Sequence, residues 1–286
     1  MKRIKYFFEF IIISFLFLVY KILGLKVSSF ISGKLFEFFG PLFRSKQIIR
    51  SNIKKAIPQI NLHELNNIKN SMWNNYGRTL SEYMFLKNFR NDKLASNIHL
   101  EGGEILEQIK NEKTPVIFIS GHFSNFELMA MQIEKSGVNL AAIYRPLNNI
   151  FLNILMERIR RKYICKNQIK KGASGVRQLL KLYKKGYSIA LMIDQRVSEG
   201  IRSKLFNGDA FTTTIPAQFI KKFNCKVVPI YIERFNHVNF NIKIKKPIEF
   251  PKDSSTEKIT RDLNICLEKM ILKDPGKWIW SHNRWK

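Results

Sequence analysis

Residues 114–135 constrain the fold more than any other stretch of the chain. Thr114-Pro115-Val116-Ile117-Phe118-Ile119 is an apolar, β-branched run that reads as a buried strand. It ends on Ser120-Gly121-His122, and Phe126, Leu128, Met129 and Met131 then supply an apolar helical surface. The alternation continues downstream. Segments 140–144, 187–194, 226–234 and 240–250 are strand-like, and segments 149–163, 174–185, 215–223 and 256–273 are helix-like. Strands that alternate with helices predict an α/β fold, a mostly parallel central sheet flanked by helices. Residues 26–90 read as mostly helical, with Leu62, Leu65, Ile68, Met72, Tyr76 and Leu80 at the spacing of a packing face. No repeat or low-complexity linker interrupts the chain. It divides into an N-terminal segment 1–25, a helical extension 26–96 and an α/β core 97–286, the last two forming one domain.

The N-terminal segment is the least soluble part. Tyr6 to Leu25 carries only Glu9 and Lys21 as charges, and the uncharged run Phe10–Tyr20 is eleven residues long. A spanning helix needs about 20 residues, so crossing requires Glu9 and Lys21 to snorkel near its ends. Leu23-Gly24-Leu25-Lys26 is a poor cleavage site. We therefore expect an uncleaved membrane-anchoring helix with its basic end, Lys2-Arg3-Ile4-Lys5, on the cytoplasmic side. A second aromatic cluster, Phe36, Phe38, Phe39, Leu42 and Phe43, lies among Lys34, Arg44, Lys46 and Arg50 and suits either an anionic bilayer or a core.

The chain carries 49 Lys+Arg against 22 Asp+Glu, a formal charge of +27. Such a surplus implies an anionic partner: an acidic membrane, a phosphorylated substrate or nucleic acid. Cys165, Cys225 and Cys266 show neither pairing nor metal spacing, which predicts a reducing compartment, no disulfide and no metal site. The sequence has no Gly-x-Ser-x-Gly elbow, P-loop or dinucleotide fingerprint.

The chemistry concentrates at strand ends, where α/β sheets build their sites. His122 ends the first strand, and Glu127 follows five residues later. On one helix those positions would stand about 140° apart, but a histidine in the turn and a glutamate in the first helical turn can converge. A carboxylate-held histidine is suited to taking a proton from a hydroxyl. The competing reading is a capping box, with Ser124 as N-cap and Glu127 reaching back to its amide. Tyr144-Arg145-Pro146 with Asn148-Asn149 follows another strand, and Asp194-Gln195-Arg196 a third. Arg145 suits a bidentate grip on phosphate. Asp194 suits substrate positioning, an arginine partner or a cap. Lys204 to Gly208 and Thr212-Thr213-Thr214 read as a glycine-hinged loop whose hydroxyls bind an anion or cap a helix. Arg158, Arg160, Arg161 and Lys162 make a basic helix face, solvated or phosphate-binding.

Taken in order, His122-x4-Glu127, Tyr144-Arg145-Pro146 with Asn148-Asn149, Asp194-Gln195, Phe206-Asn207-Gly208 and the tail Pro275-Gly276-Lys277-Trp278-Ile279-Trp280-Ser281-His282-Asn283-Arg284-Trp285-Lys286 resemble the bacterial lipid A late acyltransferases, within the lysophospholipid acyltransferase superfamily. Ile150 stands where that family often has proline after the asparagine pair. The resemblance implies a glycerol-3-phosphate acyltransferase-like fold. It also implies transfer of a fatty acyl chain from acyl carrier protein to a hydroxyl of a phosphorylated lipid A precursor, at the cytoplasmic face of the inner membrane. No cofactor would be needed beyond the acyl thioester co-substrate, and nucleic acid would not be a partner. His122 and Glu127 would be catalytic, with Arg145, Asn148, Arg158, Asp194, Gln195, Phe206 and Gly208 binding substrate. Acylation of another glycolipid or a lysophospholipid is the nearest alternative. A non-catalytic basic protein docking on anionic membranes is the alternative from another class.

Overall fold

The computed structural model describes residues 2–286. Its first element, α1 (Lys2–Phe39), is one long helix broken at Gly24, where φ is 75° and ψ is 167°. That backbone state strains any residue with a Cβ. Before the break, Ile13, Leu16, Phe17 and Tyr20 turn inward, while Ile4, Phe8, Ile12, Phe15, Leu18 and Ile22 line an exposed apolar stripe. After it, Ser28, Ser29, Ser32 and Gly33 are buried against α3 (Leu62–Glu82), which follows α2 (Lys46–Ala56). The two backbones approach so closely that a Cβ on Gly77 would meet the Ser32 carbonyl at 2.0 Å. Ser32 Oγ donates to that glycine's carbonyl at 2.6 Å. Small residues on both helices make this approach possible. The Phe38, Leu42 and Phe43 side chains at the end of α1 and in the turn after it are exposed, so the second aromatic cluster faces outward.

A short helix, α4 (Leu86–Arg90), leads into the α/β core. Its strands are β1 (Ile98–Glu101), β2 (Ile117–Ser120), β3 (Leu140–Tyr144), β4 (Asn167–Lys170), β5 (Ser188–Met192), β8 (Val227–Phe235) and β9 (Asn239–Ile244), ordered β1-β9-β8-β2-β5-β3-β4. Strands β8, β2, β5, β3 and β4 run parallel; β9 is antiparallel to β8 and carries β1 parallel beside it. Helices α5 (Gly103–Glu112), α6 (Glu127–Lys135), α7 (Ile150–Tyr163), α8 (Ala173–Lys184), α9 (Ile215–Phe223) and α10 (Thr256–Lys273) flank the sheet. Ile117, Phe118, Ile189, Val227, Val228 and Ile232 are fully buried at its centre. Each such side chain contributes about 1.5–3 kcal/mol through burial.

Several elements depart from the expectation, and β1, α5 and β4 form where no strand or helix was indicated. The segment 201–212 is a two-stranded hairpin, β6 (Ile201–Leu205) and β7 (Gly208–Thr212), rather than a loop. Strand β9 ends at Ile244, six residues before the apolar pattern does.

The C-terminal tail straps these parts together. Trp278, Trp280 and Arg284 are fully buried. Asn52 of α2 donates to the Trp280 and His282 carbonyls, both at 2.8 Å. Arg284 donates to the Phe211 carbonyl and to Thr212 Oγ1 at 2.7 Å each. Burial among neutral acceptors pushes its guanidinium down to about 10.

Candidate active site

The register of the sheet builds the site. Strands β2 and β5 are parallel neighbours, with Ser120 paired to Met192. Two residues beyond that pair, on the same edge, stand His122 and Asp194. Asp194 Oδ1 meets His122 Nδ1 at 2.8 Å, and its Oδ2 accepts from the His122 amide at 2.8 Å and from Trp278 Nε1 at 2.9 Å. The carboxylate is fully buried, while the imidazole keeps 18 % of its surface exposed. Phe126 packs edge-on against the ring at 4.6 Å. Nε2 has no hydrogen-bond partner among the described residues and is the open nitrogen.

The carboxylate that holds the imidazole is therefore Asp194. The expectation that Glu127 does so is corrected by the geometry. Glu127 Oε1 accepts from Arg160 Nε at 2.8 Å and Nη2 at 2.7 Å, and from the Tyr83 hydroxyl. Arg160 is thus a buried partner and no part of a solvated helix face. The capping box is absent too: α6 begins at Glu127 with no side-chain cap. Ser124 instead adopts a left-handed φ of 42°. Its carbonyl accepts from Thr79 Oγ1 at 3.0 Å, and its amide donates to the Lys277 carbonyl at 3.3 Å. These bonds place the turn between α3 and the tail.

A second buried pair fixes the same turn. Glu82 is fully buried and receives a two-pronged contact from Arg234 on β8. It also accepts from Asn125 at 3.0 Å and from Ser29 of α1 at 2.9 Å. One carboxylate thereby joins α1, α3, β8 and the residue three past His122.

The electrostatics follow from these contacts. Burial alone would lower the His122 pKa, but the Asp194 charge and hydrogen bond, with Glu127 adding at longer range, leave it raised. Burial likewise opposes ionisation of Asp194, yet His122 and Trp278 hold it below the usual carboxylate value. His282 accepts the Arg196 amide on Nε2 at 3.0 Å, and burial keeps its pKa low, so it is a neutral structural ring.

The other sequence candidates sit as follows. Arg145 and Asn148 are exposed in the turn after β3, and Arg158 is exposed on α7. Gln195, partly exposed, directly follows Asp194. Phe206 occupies the turn of the β6–β7 hairpin, and Gly208 lies beneath Trp285, where a Cβ would approach the indole to 2.5 Å. Trp285 Nε1 donates to the Leu205 carbonyl at 3.0 Å, so this turn is held by the tail. Sequence reasoning missed Trp278, Arg160 and Tyr83 as members of the site. The signal for Asp194 was present: both it and His122 follow an apolar strand by the same two residues.

The site thus offers an imidazole with a carboxylate on one nitrogen and an open second nitrogen, in a chain whose first helix carries an exposed apolar stripe. The chain belongs to the bacterial lipid A biosynthesis acyltransferase family, whose sequence model matches residues 1–286. It is similar to lipid A biosynthesis acyltransferase 2 of Shigella flexneri, 23 % identical over 196 residues, covering 66 % of this chain and 61 % of that protein. The lipid A biosynthesis palmitoleoyltransferase of Escherichia coli K12 is 21 % identical over 250 residues, 86 % and 80 % of the two chains. A lipid A biosynthesis acyltransferase of Haemophilus influenzae is 24 % identical over 261 residues, 89 % and 81 %.

Proposed function

We propose that this chain is a membrane-seated O-acyltransferase that moves a fatty acyl group from acyl carrier protein to a hydroxyl of a phosphorylated lipid A precursor. The observation that carries the proposal is the His122–Asp194 pair with Nε2 open at the sheet edge. Its chemistry is direct transfer. Neutral His122 takes the hydroxyl proton on Nε2 as the alkoxide oxygen bonds to the thioester carbonyl carbon. The tetrahedral intermediate collapses, the carbon–sulfur bond breaks, and the imidazolium returns the proton to the departing thiolate. Asp194 fixes the tautomer with the proton on Nδ1 and stabilises the imidazolium. Glu127 acts through charge and through its hold on Arg160. Base assistance of this kind is worth roughly 100- to 10,000-fold.

The lipid-facing stripe of α1 supports a seat on the bilayer, and the cytoplasmic side of the inner membrane is where acyl carrier protein is available. The formal charge of +27 favours both an acidic carrier protein and a phosphorylated acceptor. Arg145, exposed beside the edge, is the residue proposed to grip phosphate, with Asn148, Gln195 and Arg158 near the acceptor path. The test is incubation of the purified protein in detergent with acyl carrier protein thioesters and a tetraacylated, bis-phosphorylated diglucosamine lipid, followed by mass spectrometry. A mass gain of one acyl chain, lost in His122→Ala, is the expected result. Acylation confined to a lysophospholipid would replace the acceptor, and no transfer by any variant would overturn the reading.

A further inference from the structure

The first half of α1 runs alongside α7. At one end Asn149 Nδ2 donates to the Tyr6 carbonyl at 2.8 Å and to Glu9 at 3.0 Å, and Phe151 packs against Phe7 and Phe10. At the other end the two helices diverge around a cleft of about 340 Å³ shared with α4. Its polar lining is Lys21 of α1, Lys87 and Asn88 of α4, Asn91 and Lys93 just beyond, and Tyr163 of α7. The Lys21, Lys87 and Lys93 residues are exposed, and their ammonium groups make no salt bridge or hydrogen bond among the described residues. Asp92, between Asn91 and Lys93 in the chain, pairs with Lys135, and Glu127 pairs with Arg160 and the Tyr83 hydroxyl, Tyr83 being a wall of the cleft. Three cations around one recess with no acid in its lining repel one another unless an anion joins them.

The depth of the cleft identifies the anion. Lys21 stands between Leu18 and Ile22, which are 56 % and 76 % exposed on the apolar stripe. An ammonium flanked by lipid-facing side chains sits at headgroup level, where its charge stays solvated. The recess beside it, with Met84 and Ile159 as its apolar wall, therefore opens at that level too.

We propose that this cleft is a seat for the phosphate of a bilayer phospholipid, whose acyl chains lie along the α1 stripe. The seat shares only the Tyr83 wall with the residues around His122, and it does not depend on the acyl-transfer reading. Lys21, Lys87 and Lys93 neutralise the phosphate, and the Asn88 and Asn91 amides donate to its oxygens.

The test uses the full chain and the triple variant K21Q/K87Q/K93Q. A control triple, K181Q/K184Q/K185Q, removes three exposed lysines at the end of α8. Flotation measures binding to phosphatidylcholine vesicles with and without phosphatidylglycerol. The cleft triple is expected to lose about tenfold to a hundredfold in affinity for the anionic vesicles, and the control less than about threefold. Equal losses would reduce the effect to overall charge, and no loss would leave the cleft without a lipid role; either overturns the proposal. Calorimetry with short-chain, monomeric phosphatidylglycerol and with inorganic phosphate separates the sources. Heat from the lipid alone, abolished in the cleft triple, supports the seat. Inorganic phosphate binding as tightly as the lipid would make the cleft a free-anion site and overturn it. Unchanged thermal melting of the triple excludes misfolding, and the three side chains are exposed.

Discussion

Two carboxylates flank the His122 turn, and they are held differently. Asp194 receives one backbone amide, one indole and the imidazole, and its charge is aimed at His122. Glu127 is spent on Arg160 and Tyr83, and its charge reaches the imidazole only through space. Both lie beside His122, yet one is equipped to orient a base and the other to lock α6 to α7. Sequence spacing cannot tell these roles apart. The hydrogen-bond partners can: Glu127 bonds Arg160 and Tyr83 and makes no hydrogen bond to the imidazole, whereas Asp194 bonds Nδ1 directly.

That contrast can be broken by substitution. His122→Ala is expected to abolish acyl transfer with the melting temperature nearly unchanged, read by product mass and by calorimetry. Asp194→Asn should lower turnover roughly 100- to 10,000-fold. Glu127→Ala should act on folding as well as rate. It leaves Arg160 buried without its partner, a loss of about 3–5 kcal/mol measurable by urea unfolding. If Glu127→Ala kept full stability but lost all turnover, Glu127 would belong to the chemistry and the contrast would fail. Trp278→Phe removes one donor from Asp194, a charge-assisted bond worth about 1.5–3 kcal/mol. Turnover should fall about tenfold or more, whereas Trp280→Phe, whose indole bonds only the Pro275 carbonyl, should change stability alone.

The pair also predicts a pH signature in stability. His122 titrates above its unfolded value of 6.5, so its contribution is complete below that pH and fades as pH rises through the raised folded value. Asp194 titrates below its unfolded value of 3.8, so its contribution is present above that pH and fades as pH falls through the lowered one. Unfolding free energy measured against pH should lose the first slope in His122→Ala and should change the second too, because the imidazole is the main group holding the buried Asp194 carboxyl down.

Much of the alternation was legible because β2, β3, β5 and β8 are short apolar runs separated by helices; β1 and β4 were not, because Ile98-His99-Leu100-Glu101 and Asn167-Gln168-Ile169-Lys170 are half polar. Strand β2 and helix α9 fall at the residues their patterns indicate. The hairpin was hidden because Arg202, Lys204 and Asp209 interrupt it with charge, and because it is held by α10 and the tail rather than by the main sheet. His122 was legible from its place after a buried strand. Asp194 was legible in the same way, but its pairing with His122 was not, because a contact across two parallel strands depends on register, which no local pattern encodes. The buried pair of Glu82 and Arg234 was invisible for the same reason: 152 residues separate its members.

On the proposed reading Asp194 makes His122 a stronger base, and the pH dependence of the transfer rate measures this directly. Wild-type kcat/KM should rise with pH along an acid limb whose midpoint lies above the ordinary histidine value, because only the neutral ring accepts the proton. In Asp194→Asn the rate should drop and the midpoint should move to lower pH, since the charge that favours the imidazolium is gone. An acid limb in Asp194→Asn at the wild-type midpoint, with turnover close to wild type, would contradict the account.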